Sequence, residues 1–180
     1  MADLEAITNQ LWSFRRSSEV WAVVDGARKD GLARRVRFSA MDYCCLYSGR
    51  AGELLQDVAP YLVHLRRGWE FTRELVRAGW GQNWAIFFKS DARLDQLRHH
   101  FRRFLRVQNE QGQRLVFRYY DPRVLRIYLP TCTEAELRLF FGPVDAYIVE
   151  GEEPDEMIVY SLGGDELKVE VLRVAEQPVS

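Results

Sequence analysis

The chain has 180 residues, 47% of them hydrophobic and 13% aromatic, with 25 Lys and Arg against 26 Asp and Glu for a net charge of −1. That apolar content offsets the entropy of ordering the chain and excludes intrinsic disorder; the length suits a single domain, 1–180, with room for two small lobes, about 1–107 and 108–180, around a shared core. A balanced charge gives no long-range attraction to nucleic acid or to an anionic membrane, so neither is expected as a partner.

Leu4, Ile7, Leu11 and Phe14 recur at helical spacing and predict an amphipathic helix over residues 1–15. The same stretch lacks a basic start, an apolar run and a small-residue cleavage site, so no export signal is read and a cytoplasmic protein is expected. Residues 20–24 are apolar and β-branched, predicting a buried strand that Asp25-Gly26 ends as a turn. Between Arg28 and Phe38 the pattern is irregular and Gly31 weakens any long helix. A strand is expected over 43–47, closed by Ser48-Gly49, with 60–63 as a short extended segment beside it. Residues 69–79 predict a helix. Gly79 and Gly81 break the chain around Trp80, and 84–89 reads as the central strand.

Ser90-Asp91 predicts an N-cap for a long helix reaching about residue 107, with Leu94, Leu97, Phe101, Phe104 and Leu105 along one face. A turn over 109–113 leads to a strand over 114–119. Asp121-Pro122 then starts a helix, since Asp caps well and Pro lacks only an N–H that would be unpaired there. Thr133 and Glu136 stand at capping-box spacing before a helix that Gly142-Pro143 stops. Runs at 146–149, 157–162 and 167–174 predict a β meander, turning at Gly163-Gly164 or Gly164-Asp165. Interleaved helices and strands giving way to strands predict an α/β (mixed α+β) fold: a mixed sheet with flanking helices and a C-terminal meander. No apolar run approaches the roughly 20 residues needed to span a bilayer.

Cys44, Cys45 and Cys132 are an odd, unspaced set, which argues against a disulfide framework and for a reducing compartment. With His64, His99 and His100 they form no paired ligand spacing, so no metal is expected, and no other cofactor. Motifs for a nucleophile elbow, a phosphate loop, a dinucleotide fold and a zinc protease are absent, and no enzyme activity is expected. Adjacent on one helix, His99 and His100 point about 100° apart and cannot act at one centre. Arg98, Arg102 and Arg106 line one stripe of the predicted helix 91–107. A solvated face, or pairing with the acidic loop at Glu150, Glu152, Glu153, Asp155 and Glu156, is favoured over a nucleic-acid module, because no aromatic residue interleaves the stripe.

The most distinctive stretch is Arg118-Tyr119-Tyr120-Asp121-Pro122-Arg123, at a junction of strand and helix. Its structural reading has Asp121 capping the helix while Arg118 or Arg123 forms a bidentate bridge that locks the corner. The competing reading is an anion site in a hydrolase or transferase for a phosphorylated ligand, but no nucleophile or base can be placed beside it.

The run FRYYDPRVL, the downstream FFGPV, the upstream APYLVHL, and WAIFFKS followed by LRHHFRRFLRV resemble, in order and spacing, the signature blocks of the type VI secretion effector-adaptor chaperones. The resemblance covers about 20–149; its chief departure is Ala85-Ile86-Phe87-Phe88, where family members often have a glycine after the tryptophan. It implies a non-catalytic adaptor that binds a cognate secreted effector in the cytoplasm and helps mount it on the valine-glycine-repeat spike protein at the tip of the secretion tube. Arg118, Asp121, Pro122, Arg123, Gly142 and Pro143 match the family motifs and are expected to maintain the fold. Effector binding is expected in an apolar groove rimmed by charge, with Tyr61, Trp69, Trp80, Arg98 and Arg102 as the candidate anchors.

Overall fold

A computed structural model describes residues 3–13, 18–108 and 111–174 of the chain. Phe14, the last position of the predicted apolar stripe, and residues 109 and 110 of the predicted 109–113 turn lie outside them. Seven strands form one open sheet in the order β2-β3-β1-β4-β7-β8-β9. In chain order these are β1 (Glu19–Asp25), β2 (Tyr43–Cys45), β3 (Pro60–His64), β4 (Ala85–Ser90), β7 (Ala146–Glu150), β8 (Glu156–Gly163) and β9 (Glu166–Arg173). The remaining two, β5 (Arg106–Gln108) and β6 (Arg114–Val116), pair as a separate hairpin. The helices are α1 (Leu4–Ser13), α2 (Leu32–Arg37), α3 (Gly49–Leu54), α4 (Glu70–Gly79), α5 (Leu94–Arg102), α6 (Pro122–Tyr128) and α7 (Glu134–Phe141).

β4 sits at the middle of the sheet, as its unbroken apolar run predicts, and all six of its residues are buried. Side chains alternate across a strand, so Val20, Ala22 and Val24 of β1 enter one core and Trp21 and Val23 the other. The first core is closed by Ile7 and Leu11 of α1, Leu32 and Val36 of α2, and Phe71 and Leu75 of α4. On the other face lie Leu97 and Phe101 of α5, Leu125 of α6, and Leu137 and Phe140 of α7. Burial on both faces is why β1 and β4 read as continuous apolar runs rather than alternating ones. Cys44 and Cys45 likewise pack toward opposite cores.

Every strand pairing is antiparallel, where interleaved helices and strands suggested a mixed sheet. The reason is topological. α4 links β3 to β4, which run in the same direction, but β1 lies between them and runs against both. The unit is a split βαβ, and its crossover creates no parallel contact. The predicted meander is present as β7, β8 and β9, turning at Gly164-Asp165. Residue 107 falls inside β5, while β4 pairs with β7, so one sheet draws strands from both sides of that position.

The predicted helix to residue 107 is corrected at both ends. Ser90 belongs to β4, its hydroxyl donating to Pro143 O at 2.6 Å and accepting from Ala92 N at 3.1 Å, and Arg93 is the N-cap of α5. At the other end Leu105 O accepts from Phe117 N at 3.0 Å, and the chain leaves the helix after Arg102 to enter the β5–β6 hairpin. Phe104 and Leu105 still pack into the core, so apolar spacing outlasts the helix. α3 escaped the sequence reading because two of its six residues, Gly49 and Gly52, are poor helix formers. Among the described residues, no helix is long and apolar enough to cross a membrane.

Candidate functional site

β1 delivers Asp25 to one end of the sheet as a carboxylate only 1% exposed. Its backbone N–H donates to Trp84 O at 2.8 Å, and its side chain accepts from Ala27 N at 3.1 Å. Arg118 reaches across from the segment before α6 and pairs with it. Beside it, Asp121 is 4% exposed and caps α6, accepting from Arg123 N at 3.1 Å. Arg123 grips the same carboxylate in a fork, Nε to Oδ1 at 3.0 Å and an Nη to Oδ2 at 2.8 Å. Arg28 joins the two carboxylates, paired with Asp121 and 3.7 Å from Asp25, while its Nε donates to Asn83 O at 3.1 Å. The result is a chain of alternating charge, Arg118–Asp25–Arg28–Asp121–Arg123.

Burial alone would push the Asp121 carboxyl up, but the hydrogen bonds from Arg123 and the Arg28 charge outweigh it and hold the carboxyl below its usual value. Arg118 is held above the ordinary guanidinium value, chiefly by its bond to Asp25. A third buried acid, Glu150 at the end of β7, accepts from Gly81 N and from Asn83 N at 2.6 Å. Burial raises its carboxyl above the ordinary value, against those N–H groups. Arg126 of α6 donates to Glu150 O at 2.8 Å and Gly151 O at 3.2 Å. Together these contacts bind the end of β1, the 80–84 loop, the start of α6 and the end of β7. An anion would need the Arg118 and Arg123 guanidinium groups, and both already hold carboxylates.

Gly142 and Pro143 lie apart from this corner, at the end of α7. Gly142 has φ 46°, and a Cβ there would sit 2.8 Å from Cε1 of His100. His100 is buried with its Nε2 2.9 Å from Phe140 O, and burial lowers its pKa to about 4. The neutral ring therefore donates to that carbonyl, which also accepts from Tyr147 Oη at 2.7 Å.

The sequence-derived anchors do not assemble into one groove. Tyr61 and Trp80 are core residues, 1% and 9% exposed, with Tyr61 Oη donating to Gln56 O at 2.8 Å and Trp80 Nε1 to Pro154 O at 3.2 Å. Trp69, the N-cap of α4, is 40% exposed, with the Arg66 guanidinium 4.9 Å from its ring centroid. Arg98 and Arg102 share a face of α5, but Arg106 is in β5, so the three-arginine stripe does not exist. Nor does the acidic loop meet it: Asp155 and Glu156 pair with Arg173.

A different groove, about 290 Å³, opens between α3 and the β5–β6 hairpin, lined by Leu46, Tyr47, Leu55, Leu105 and Val116 with Arg102 and Arg106. Of its lining, Leu55 and Val116 are 45 and 60% exposed; Leu54, Val58 and Leu115, near them in the sequence but not in the lining, are 70, 47 and 48% exposed. Sequence reasoning reached Arg102 here and missed the apolar wall, because α3 itself was not predicted. In the corner it missed Asp25, Arg28 and Glu150; the signal was a charged residue directly ending a fully apolar strand, at Asp25 and again at Glu150. Among the described residues, no group of His, Cys, Asp and Glu could hold a metal ion.

No curated protein and no solved structure matches the chain. A family model does: over residues 20–139, which hold the distinctive Arg118–Arg123 block and both carboxylates of the paired corner, the chain belongs to the family described as Domain of unknown function (DUF4123).

Proposed function

We propose that this protein is a type VI secretion adaptor chaperone that holds a cognate effector in the cytoplasm and promotes its loading onto the valine-glycine-repeat spike protein. The span 20–139 contains all the blocks that resemble that family except FFGPV, which starts at Phe140. The carrying observation is the division of labour among the motif residues and the groove. Arg118, Asp121 and Arg123 are engaged with one another and with Asp25 and Arg28, a role in holding the fold. The groove between α3 and the hairpin instead exposes leucine and valine side chains that no core covers, rimmed by Arg102 and Arg106. Exposed apolar side chains such as Leu55 and Val116 at a groove are what a binding site for another polypeptide would use. Its occupant in this reading is an apolar segment of the effector flanked by acidic residues.

The test is affinity capture from the native cell with the wild-type chain and with Leu55→Asp/Val116→Asp. An effector and the spike protein should co-elute with the wild type. The variant should lose the effector by about thirtyfold, the loss of one strong hot spot, with its melting temperature unchanged. Equal capture by both chains would move the effector site elsewhere. Capture of neither an effector nor a spike protein would overturn the adaptor reading.

A further inference from the structure

The two edges of the sheet are treated differently. β2 is three residues long, which is one way that native proteins blunt an edge. β9 is eight residues long, without proline, and its register against β8 is unbroken from Glu156↔Arg173 to Gly163↔Glu166. Nothing among the described strands lies beyond it. Val169 and Val171 are 52 and 55% exposed, on the face that carries Leu167 and, across β8, Ile158, Tyr160 and Leu162.

The hairpin fixes which backbone groups of β9 are free. Gly164-Asp165 is a two-residue turn with Gly164 at φ 70°, so its closing pair Gly163↔Glu166 is a hydrogen-bonded one. Hydrogen-bonded and non-bonded pairs alternate from there, and residues 166, 168, 170 and 172 turn their N–H and C=O groups toward β8. The same phase holds at the far end, where Val174 N donates to Asp155 O at 2.8 Å. Leu167, Val169, Val171 and Arg173 therefore turn theirs outward.

We infer that β9 is an isologous interface that pairs antiparallel with β9 of a second copy, centred on Val169. That register is the one in which the outward groups of Leu167, Val169 and Val171 meet their counterparts. It sets Val169 opposite itself and Leu167 opposite Val171 of the other copy, which closes the exposed apolar stripe. In the intervening, more closely spaced pairs, Lys168 faces Glu170 of the other copy, twice by symmetry. Both residues are exposed, and neither has an ion-pair partner among the described residues. Oppositely charged cross-strand neighbours stabilise such a pairing and like charges oppose it, so the sequence Lys168-Val169-Glu170 is complementary to itself and to no arbitrary strand. One sheet then runs through both copies. This dimer is independent of what the α3 groove binds.

The experiment is sedimentation equilibrium of the full chain and of charge-reversal variants across micromolar concentrations. Lys168→Glu alone places four acids at the seam, and Glu170→Lys alone four bases; each should weaken dimerisation by about tenfold or more. The double variant Lys168→Glu/Glu170→Lys should restore it. An equimolar mixture of the two single variants should form heterodimers more tightly than either forms homodimers. A wild-type chain that stays monomeric overturns the inference. So does a dimer that ignores the single reversals, or one that the double variant and the mixture fail to restore.

Discussion

Replacing Asp121 by alanine tests whether the paired corner holds the fold or does chemistry. The substitution deletes the cap on α6, a loss of about 1 kcal/mol. It also removes the carboxylate shared by Arg28 and Arg123. Breaking a fully buried pair costs about 3–5 kcal/mol, but these arginine side chains are 21 and 54% exposed and regain water, so about 1–2 kcal/mol of that remains. The sum, about 2–3 kcal/mol, corresponds to a fall in melting temperature of roughly 4–12 °C for a domain of this size. Asp121→Asn keeps a capping oxygen and should recover about 1 kcal/mol of the loss. Both are read by thermal unfolding followed by circular dichroism at pH 7. Because the folded carboxyl is depressed below its unfolded value, its contribution is complete above about pH 4 and is lost as pH falls through the lower folded pKa, so the gap to wild type should close in acid. A melting temperature for Asp121→Ala within about 1 °C of wild type would refute this account. Turnover of a small molecule that vanishes with Asp121→Asn while the domain stays folded would replace it with catalysis.

Gly142→Ala should cost about 2 kcal/mol or more, measured by urea unfolding, since the new methyl meets the His100 ring at 2.8 Å and the backbone has φ 46°. His100 titrates near pH 4 when folded and near 6.5 when unfolded, so the unfolded chain takes up the proton first. Stability should be complete above about pH 6.5 and decline by up to about 3 kcal/mol toward pH 4, and His100→Gln should flatten that slope in denaturation series at several pH values. Trp80→Ala should lose about 3–5 kcal/mol by opening the core, whereas Trp69→Ala should stay within about 0.5 kcal/mol, a contrast that equilibrium unfolding reads directly.

What the sequence made legible was whatever is encoded locally. Asp121-Pro122 and Thr133-x-x-Glu136 announce helix starts because a cap is chemistry within one turn, and Gly142-Pro143 announces a stop for the same reason. The central place of β4 could be read from the unbroken apolar run Trp84 to Phe88, since a strand buried on both faces does not alternate polar with apolar; the buried Lys89 and Ser90 that end it carry no such signal. Partner identity across the fold could not. By spacing Arg118 is a candidate for Asp121, three positions away, yet it pairs with Asp25, and Asp121 draws Arg28, each 93 positions distant. The end of α5 failed for a related reason: Phe104 and Leu105 continue the apolar spacing, and only the pairing of β5 with β6 reveals that the helix has stopped.

α3 and the β5–β6 hairpin present a different kind of evidence. A helix of six residues that buries none of them adds little to the core, and an isolated two-stranded hairpin is marginal by itself. Yet these two elements carry five of the exposed large apolar side chains in or beside them: Leu54, Leu55, Val58, Leu115 and Val116. Folding does not require those residues to be apolar, because water reaches each of them in the isolated chain. In the proposed adaptor reading, the hydrophobicity of Leu55 and Val116, which line the groove, is stabilisation realised on association, when the groove is covered. Substitutions there are nearly free with respect to the fold, whereas the corner at Asp25 and Asp121 is tightly constrained by it. In the same proposed reading, variation in partner choice is therefore expected to concentrate in α3 and the hairpin, above a scaffold held by the charged corner.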